Sequence, residues 1–212
     1  MTAEPASASP RRTRARRGEG ERLREQILEA ASHLLVETGD ENAVSIRAVA
    51  EAVGVTPPSI YLHFADKNDL IFAICEKYLE ELDRRTTEAA RGSDDLIESL
   101  LRRGRAYIWF GLENREPYRV IFMRKPSDTP LPWQYEKIVT SSAFGHLLDD
   151  VGAAVGAGLL EGDPMLVALA LWSAVHGITS LLISKPNFPW PDLDQLIDQV
   201  TRSALYGVAA RG

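Results

Sequence analysis

The side chains best suited to hold a metal or attack an electrophile are four histidines, His33, His63, His146 and His176, and one cysteine, Cys75. They are scattered along the chain, no pair has the spacing of a zinc site, and the thiol has no neighbouring thiol. There is no G-x-S-x-G or Walker A pattern. No catalytic residue, metal or cofactor is therefore expected, and the chain is not read as an enzyme. The densest polar grouping has a different chemistry. Ser45, Arg47, Thr56, Ser59, Tyr61, His63 and Lys67 are hydrogen-bond donors set among Val49, Val53, Val55 and Ile60. Hydroxyls, a phenol, an imidazole and two cations on an apolar frame suit phosphate oxygens and base edges. Pro57, Pro58 and Leu62 add apolar contacts, Leu62 being fit to pack on a thymine methyl.

The elements that must position these groups are helical. Ile27, Ala31, Leu34 and Leu35 recur on one face of a helix that ends at Gly39. Ser45 is placed as the N-cap of a second helix with Ile46, Val49, Ala50 and Val53 inward, broken at Gly54. Thr56 starts a third, with Pro57 at its first position. Asp66 caps a fourth, which runs through Leu70, Ile74 and Tyr78 towards Arg85. Ala50 is small where two helices cross closely, and Gly54 tolerates a positive φ in the turn between them. Residues 45–64 thus have the parts of a helix-turn-helix, which sets the start of its second helix in a major groove.

In this stretch the chain resembles the tetracycline-repressor family of regulators. Tyr61, His63, Phe64, Lys67 and Leu70 of YLHFADKNDL, with SIRAVAEAVGVTPPSI before them, carry the resemblance over about residues 22–82. It implies a three-helix head, a connecting fourth helix and a variable C-terminal ligand and dimer domain. Trp172, His176 and Gly177 of WSAVHG resemble the motif of one C-terminal subclass. Many relatives have a basic residue at the place of Pro57 and a polar one at Leu62, so readout here is expected to lean on DNA shape. Tyr61 and His63 are phosphate-directed by resemblance, with a packed surface histidine the alternative for His63. Lys67 is placed at a helix start, where free N–H groups favour a phosphate.

Charge agrees with a nucleic-acid contact at one end. The net charge is −6, yet residues 1–24 carry seven arginines and three glutamates, which leaves −10 for the remainder. Residues 1–20 read as a disordered basic arm, its run Arg11–Arg17 either a solvated tail or a phosphate or minor-groove contact. The head is assigned to residues 21–85 and the body to 93–210, restarting after Arg91-Gly92-Ser93. The body is expected to be helical from Leu96 through Phe110, from about Trp133 to Val151, from Asp163-Pro164, and from Asp192 on. No stretch alternates with period two, so the fold class is all-α.

Met165 to Ile183 carries no formally charged side chain. Ser173, His176, Gly177, Thr179 and Ser180 interrupt it, so it is read as a central helix covered partly by a second copy rather than as a membrane span. The expected C2 interface is Leu169 and Trp172 with Leu193, Ile197, Val200 and Ala204 of the last helix. Tyr107, Phe110, Phe122, Trp133, Phe144, His146, Trp172 and His176 are the candidates for a ligand pocket. Packing is the alternative for each of them. A single cysteine and no apolar leader with a cleavage site fit the cytoplasm. The expectation is thus a homodimeric DNA-binding regulator, a repressor released from a pseudo-palindromic operator by a small, largely apolar effector. A ligand-independent or activating regulator is the alternative, and a helical interaction protein that does not bind DNA stands last.

Overall fold

Most helices begin where the sequence supplies an acceptor for their unpaired first N–H groups. The side chains of Ser45, Asp66, Asp95, Asp163 and Asp192 accept from backbone N–H groups two or three residues on. The computed structural model describes residues 18–123 and 143–207. Expectations for the arginine run, for Pro126, Pro130 and Pro132, and for Trp133 lie outside the described residues.

The chain folds as α1 (Glu19–Thr38), a short 3-10 turn (Glu41–Ala43), α2 (Ile46–Val53), α3 (Pro57–Ile60), α4 (Lys67–Ala90), α5 (Leu96–Glu113), α6 (Arg115–Phe122), α7 (Ala143–Gly156), α8 (Pro164–Ser184) and α9 (Leu193–Tyr206). No strand occurs among the described residues, and the fold is all-α. Local contacts set three of the bounds. The connecting helix α4, expected to run towards Arg85, continues to Ala90, because Thr86 and Ala90 are buried rather than solvated. Asp95 caps α5, and Ser93 Oγ accepts from the Asp95 N–H. The second helix of the helix-turn-helix stops after four residues, so Tyr61, Leu62 and His63 lie in the turns that follow it. The two prolines occupy the first two helical positions, where a missing N–H costs nothing, and the helix closes with a Tyr61 N–H to Pro57 carbonyl bond of 3.4 Å.

Three apolar cores form. The head core gathers Ile27, Ala31 and Leu35 of α1, Val49 and Ala50 of α2, Ile60, Phe64, and Leu70, Ile71 and Ile74 of α4. A second core joins Leu82 of α4 to Tyr107, Ile108 and Phe110 of α5, Tyr118 of α6, and Val175, Ile178, Leu182, Ile183 and Ile197. A third lies where α5, α7, α8 and the end of α9 meet around Val151, Ala154, Leu171 and Leu205. Helix α4 therefore contributes to both ends, and Tyr78 packs against both the head core and the second core.

Helix α8 is long and apolar enough to cross a membrane by length and composition, but one face is built into these cores. Val167, Ala168, Leu171, Val175, Ile178, Thr179, Leu182 and Ile183 are buried. The opposite face, with Leu166, Ala170, Ser173 and Leu181, is exposed.

Helices α5 and α8 pack tightly at Gly111, where an added Cβ would sit 2.3 Å from Thr179 Cγ2 and 3.1 Å from Tyr118 Cδ2. Gly111→Ala is expected to lower the unfolding free energy of the full chain by about 1–3 kcal/mol. Adding Thr179→Ser, which removes that methyl, should restore part of the loss in urea melts.

Candidate nucleic-acid interface and ligand cavity

The head holds its second helix outward by local means. Ser45 accepts the Ala48 N–H at 3.1 Å and starts α2. Gly54 ends it in the left-handed region, φ 76°, which an L side chain enters only at a cost. Val49 and Ile60 are fully buried on the two helices so joined, with Val53 and Val55 packed beside them. What is left on the outside is the row named from the sequence. Thr56, Pro57, Pro58, Tyr61 and Leu62 are exposed, Leu62 at 76%. Ser59 is half-buried, its hydroxyl 3.1 Å from that of Thr56. Thr56 starts α3 by its extended backbone, without a side-chain cap. Arg47 is exposed on the first turn of α2.

Two groups of the set also have neighbours within the chain. Lys67 Nζ donates to the Glu41 carbonyl at 2.7 Å, so the ammonium ties the start of α4 to the 3-10 turn, with two donors left over. The amides around that helix start are met by the chain's own carboxylates: Asp66 accepts from Asp69 N–H, and Asp69 from Ala65 N–H. Those N–H groups are therefore already paired within the chain, and the Lys67 ammonium is the group there with donors to spare. His63 is half-buried, its Cε1 3.8 Å from the Cβ position of Gly20, and Arg24 lies over the Phe64 ring at 5.0 Å. The first turn of α1 thus flanks the outward row, a neighbourhood that no local pattern announced.

The body contains a cavity with about 820 Å³ of free space, counting the part open to solvent. All six body-facing helices, α4 through α9, line it. Tyr107, Phe122, Phe144 and Trp172 stand in its wall, with Leu82, Leu100, Leu171 and Val175. Phe110 does not; it is fully buried in the second core, with the Arg85 guanidinium 5.7 Å above its ring. His146 does not either. It lies near the surface of α7 and binds Asp83 of α4 at 2.7 Å. Sequence reasoning missed Arg103, which is 5% exposed, lines the cavity, and bonds Asp150 through Nε and Nη2 at 2.9 and 2.6 Å.

His176 stands behind the wall in a directed chain of hydrogen bonds. Trp172 Nε1–H donates to the Tyr107 hydroxyl at 3.3 Å, and the two tyrosine hydroxyls are 3.2 Å apart. Tyr118 Oη is 2.7 Å from His176 Nδ1, and His176 Nε2 is 3.4 Å from Ser180 Oγ. One donor order satisfies every member: Trp172 to Tyr107, Tyr107 to Tyr118, Tyr118 to Nδ1, and Nε2–H to Ser180. It requires neutral imidazole with its proton on Nε2. Burial lowers the His176 pKa below its usual 6.5 and raises both tyrosines, so all three stay neutral. Trp172 and His176 of WSAVHG therefore staple α8 to α5 and α6.

The expected interface on α9 is also reassigned. Ile197 is fully buried within its own chain, Leu193 and Val200 pack on the second core, and Ala204 lines the cavity. The apolar face of α9 is turned inward, and Trp172 is part of the cavity wall. Leu169 of α8 is exposed, as a partner-facing residue must be.

A helix-turn-helix head on a helical body with an internal cavity is the architecture of a DNA-binding transcriptional regulator. Residues 27–74 match the profile described as bacterial regulatory proteins of the tetR family, and residues 100–207 match that of the tetracyclin repressor-like C-terminal domain. The chain belongs to the tetracycline-repressor family. It is 25% identical over 195 residues to the HTH-type transcriptional activator FasR of Mycolicibacterium smegmatis, covering 92% of this chain and 83% of that one. A crystal structure of a TetR family transcription regulator from Marinobacter aquaeolei superposes with a TM-score of 0.70 at 22% identity, over 89% and 96% of the two chains. The fatty acid degradation regulator FadR of Bacillus halodurans superposes at 0.70 with 18% identity, over 87% and 98%.

The depressed His176 pKa has a sign. Between that pKa and 6.5 the unfolded chain binds more protons than the folded one, so the contribution is present above pH 6.5 and is lost as pH falls through the folded value. Melting temperature should drop from about pH 7 to about pH 5 by less in His176→Asn than in the unchanged protein. An equal drop in both would remove the role given to this imidazole.

Proposed function

We propose that the chain is a cytoplasmic, homodimeric repressor without catalytic activity. It grips a pseudo-palindromic operator and releases it when a small, largely apolar ligand enters the cavity. The observation that carries this reading is the outward row on the head, ending in the exposed Leu62, on a head core that shares α4 with the wall of the cavity. Thr56, Ser59 and Leu62 are the base-facing candidates, with Pro57 and Pro58 offering shape. Tyr61, His63, Arg47 and the hydroxyl hydrogen of Ser45 are directed at phosphates. The spare donors of Lys67 extend that set.

Two copies meet through the exposed face of α8. Leu166, Ala170, Ser173, Ala174, Gly177 and Leu181 run along it at helical spacing without a charge, and an added Cβ at Gly177 would meet open space. Small residues between two leucines allow close approach of a second helix. Ligand favours a head spacing that does not fit the operator, and α4 carries the shift. A coupling of about 1–3 kcal/mol corresponds to roughly a 5–150-fold change in affinity. Activation is the second reading, favoured by the name of the Mycolicibacterium smegmatis relative.

Operator fragments selected from genomic DNA should bind with a log affinity that falls linearly with log salt, by about 0.9 per phosphate neutralised. Tyr61→Phe should weaken that binding and leave sequence preference intact, whereas Leu62→Ala should relax preference at one base pair, costing about 1 kcal/mol or more. No binding above background at low salt would end the regulator reading. In sedimentation, Gly177→Trp should shift the protein towards monomer, and an unchanged dimer would move the interface elsewhere.

A further inference from the structure

The cavity wall contains five polar side chains among the described residues, and each already has a partner within the protein. Thr86 Oγ1 donates to the Leu82 carbonyl and Thr201 Oγ1 to the Ile197 carbonyl, both at 2.9 Å. Trp172 and Tyr107 are consumed in the chain that ends on His176. Arg103, the one charged residue of that wall, has Asp150 on two of its nitrogens and Thr87 on the third. No buried side-chain nitrogen or oxygen of the described residues is left without a partner. The backbone behind the wall is helical and likewise satisfied.

A ligand polar atom carried into this space would lose its water and find little in return, only second lone pairs of hydroxyls and the unused N–H groups of Arg103, at a cost of about a few kcal/mol for each group left unpaired. A negative head group would have to compete with Asp150 for Arg103, and displacing that carboxylate would leave it unpaired beside the cavity. Leucine, valine, alanine, glycine and aromatic faces make up the rest of the described wall, and these favour hydrocarbon.

From this we infer that the cavity takes an unfunctionalised hydrocarbon chain tail-first. The ligand is lipid-like, with a fatty-acyl or alkyl tail inside and its polar head left on the solvent-open side, unread by Arg103. The inference rests on the cavity being the ligand site, and it narrows that ligand from an apolar molecule to an aliphatic chain selected by length. Polycyclic ligands studded with heteroatoms, and small carboxylates held by an arginine, are both disfavoured by the described residues of that wall.

Calorimetry on the full chain without DNA tests this separately from operator release. In a ladder of straight-chain carboxylates from hexanoate to dodecanoate, affinity should rise about fourfold per methylene until the cavity is filled. At one chain length, the carboxylate, the alcohol and the amine should bind within about tenfold of each other, because losing a desolvated ion pair changes affinity by more. Ala204→Phe, which intrudes on the cavity, should cut the ladder short. Ala204→Val does so by less and serves if the larger ring is not accommodated. A response flat in chain length overturns the proposal, as does a carboxylate preferred far beyond tenfold. A chain that binds as described yet leaves operator affinity unchanged would refute the effector role of the cavity and leave the occupant standing.

Discussion

Everything in this molecule depends on one helix being buried at both ends in different cores. Leu70, Ile71 and Ile74 of α4 close the head, and Leu82 and Thr86 close the body, with Tyr78 shared between them. A helix of 24 residues is about 36 Å long and bends little when packed along its length. The head cannot tilt without moving the wall of the cavity, and the cavity cannot widen on that side without moving the head. The regulator's two halves share a beam. A loop at the same place would have left them independent.

The body complements this with an economy of polar groups. Neutral tyrosines, an indole and a neutral imidazole form a hydrogen-bonded chain in which every member is satisfied, and Arg103 is matched to Asp150. Buried polar groups so arranged fix the relative positions of α5, α6 and α8, because each displacement leaves an unpaired donor or acceptor. The apolar space beside them keeps its shape while empty of any polar demand.

The head was legible in the sequence because its signals are local. Ser45, Gly54, Asp66 and the spacing of Val49 and Val53 each act within one or two turns, and helix geometry turns such spacings into faces. The all-α class followed from the same periodicities. The body was only half legible, because its side chains choose between neighbours far away in sequence. Phe144 and Trp172 reach the cavity, while Phe110, equally aromatic, sits in the core, and no local pattern separates them. His146 and His176 look alike as residues; one meets Asp83 at the surface and the other a tyrosine pair. Ile197 belongs to an amphipathic helix whose apolar face fits a partner chain or its own, and here its own chain takes it. Lys67 was placed at the right helix start, but the carbonyl of Glu41 that claims it comes 26 residues earlier.

Helix α6 is only eight residues long, yet its sides answer to different masters. Tyr118 is sealed among the hydrogen-bonded rings, Val120 packs on the head core, and the Glu116 side chain lies against the end of α1 near Gly39. Such a segment has little freedom to drift over evolutionary time, since a change that suits one neighbour disturbs another. Cavity residues on α7 and α9 pack within the body alone and touch neither the head core nor α1. Divergence in what descendants of this protein sense should therefore accumulate on those two helices, while the small wedge between head and body stays nearly fixed.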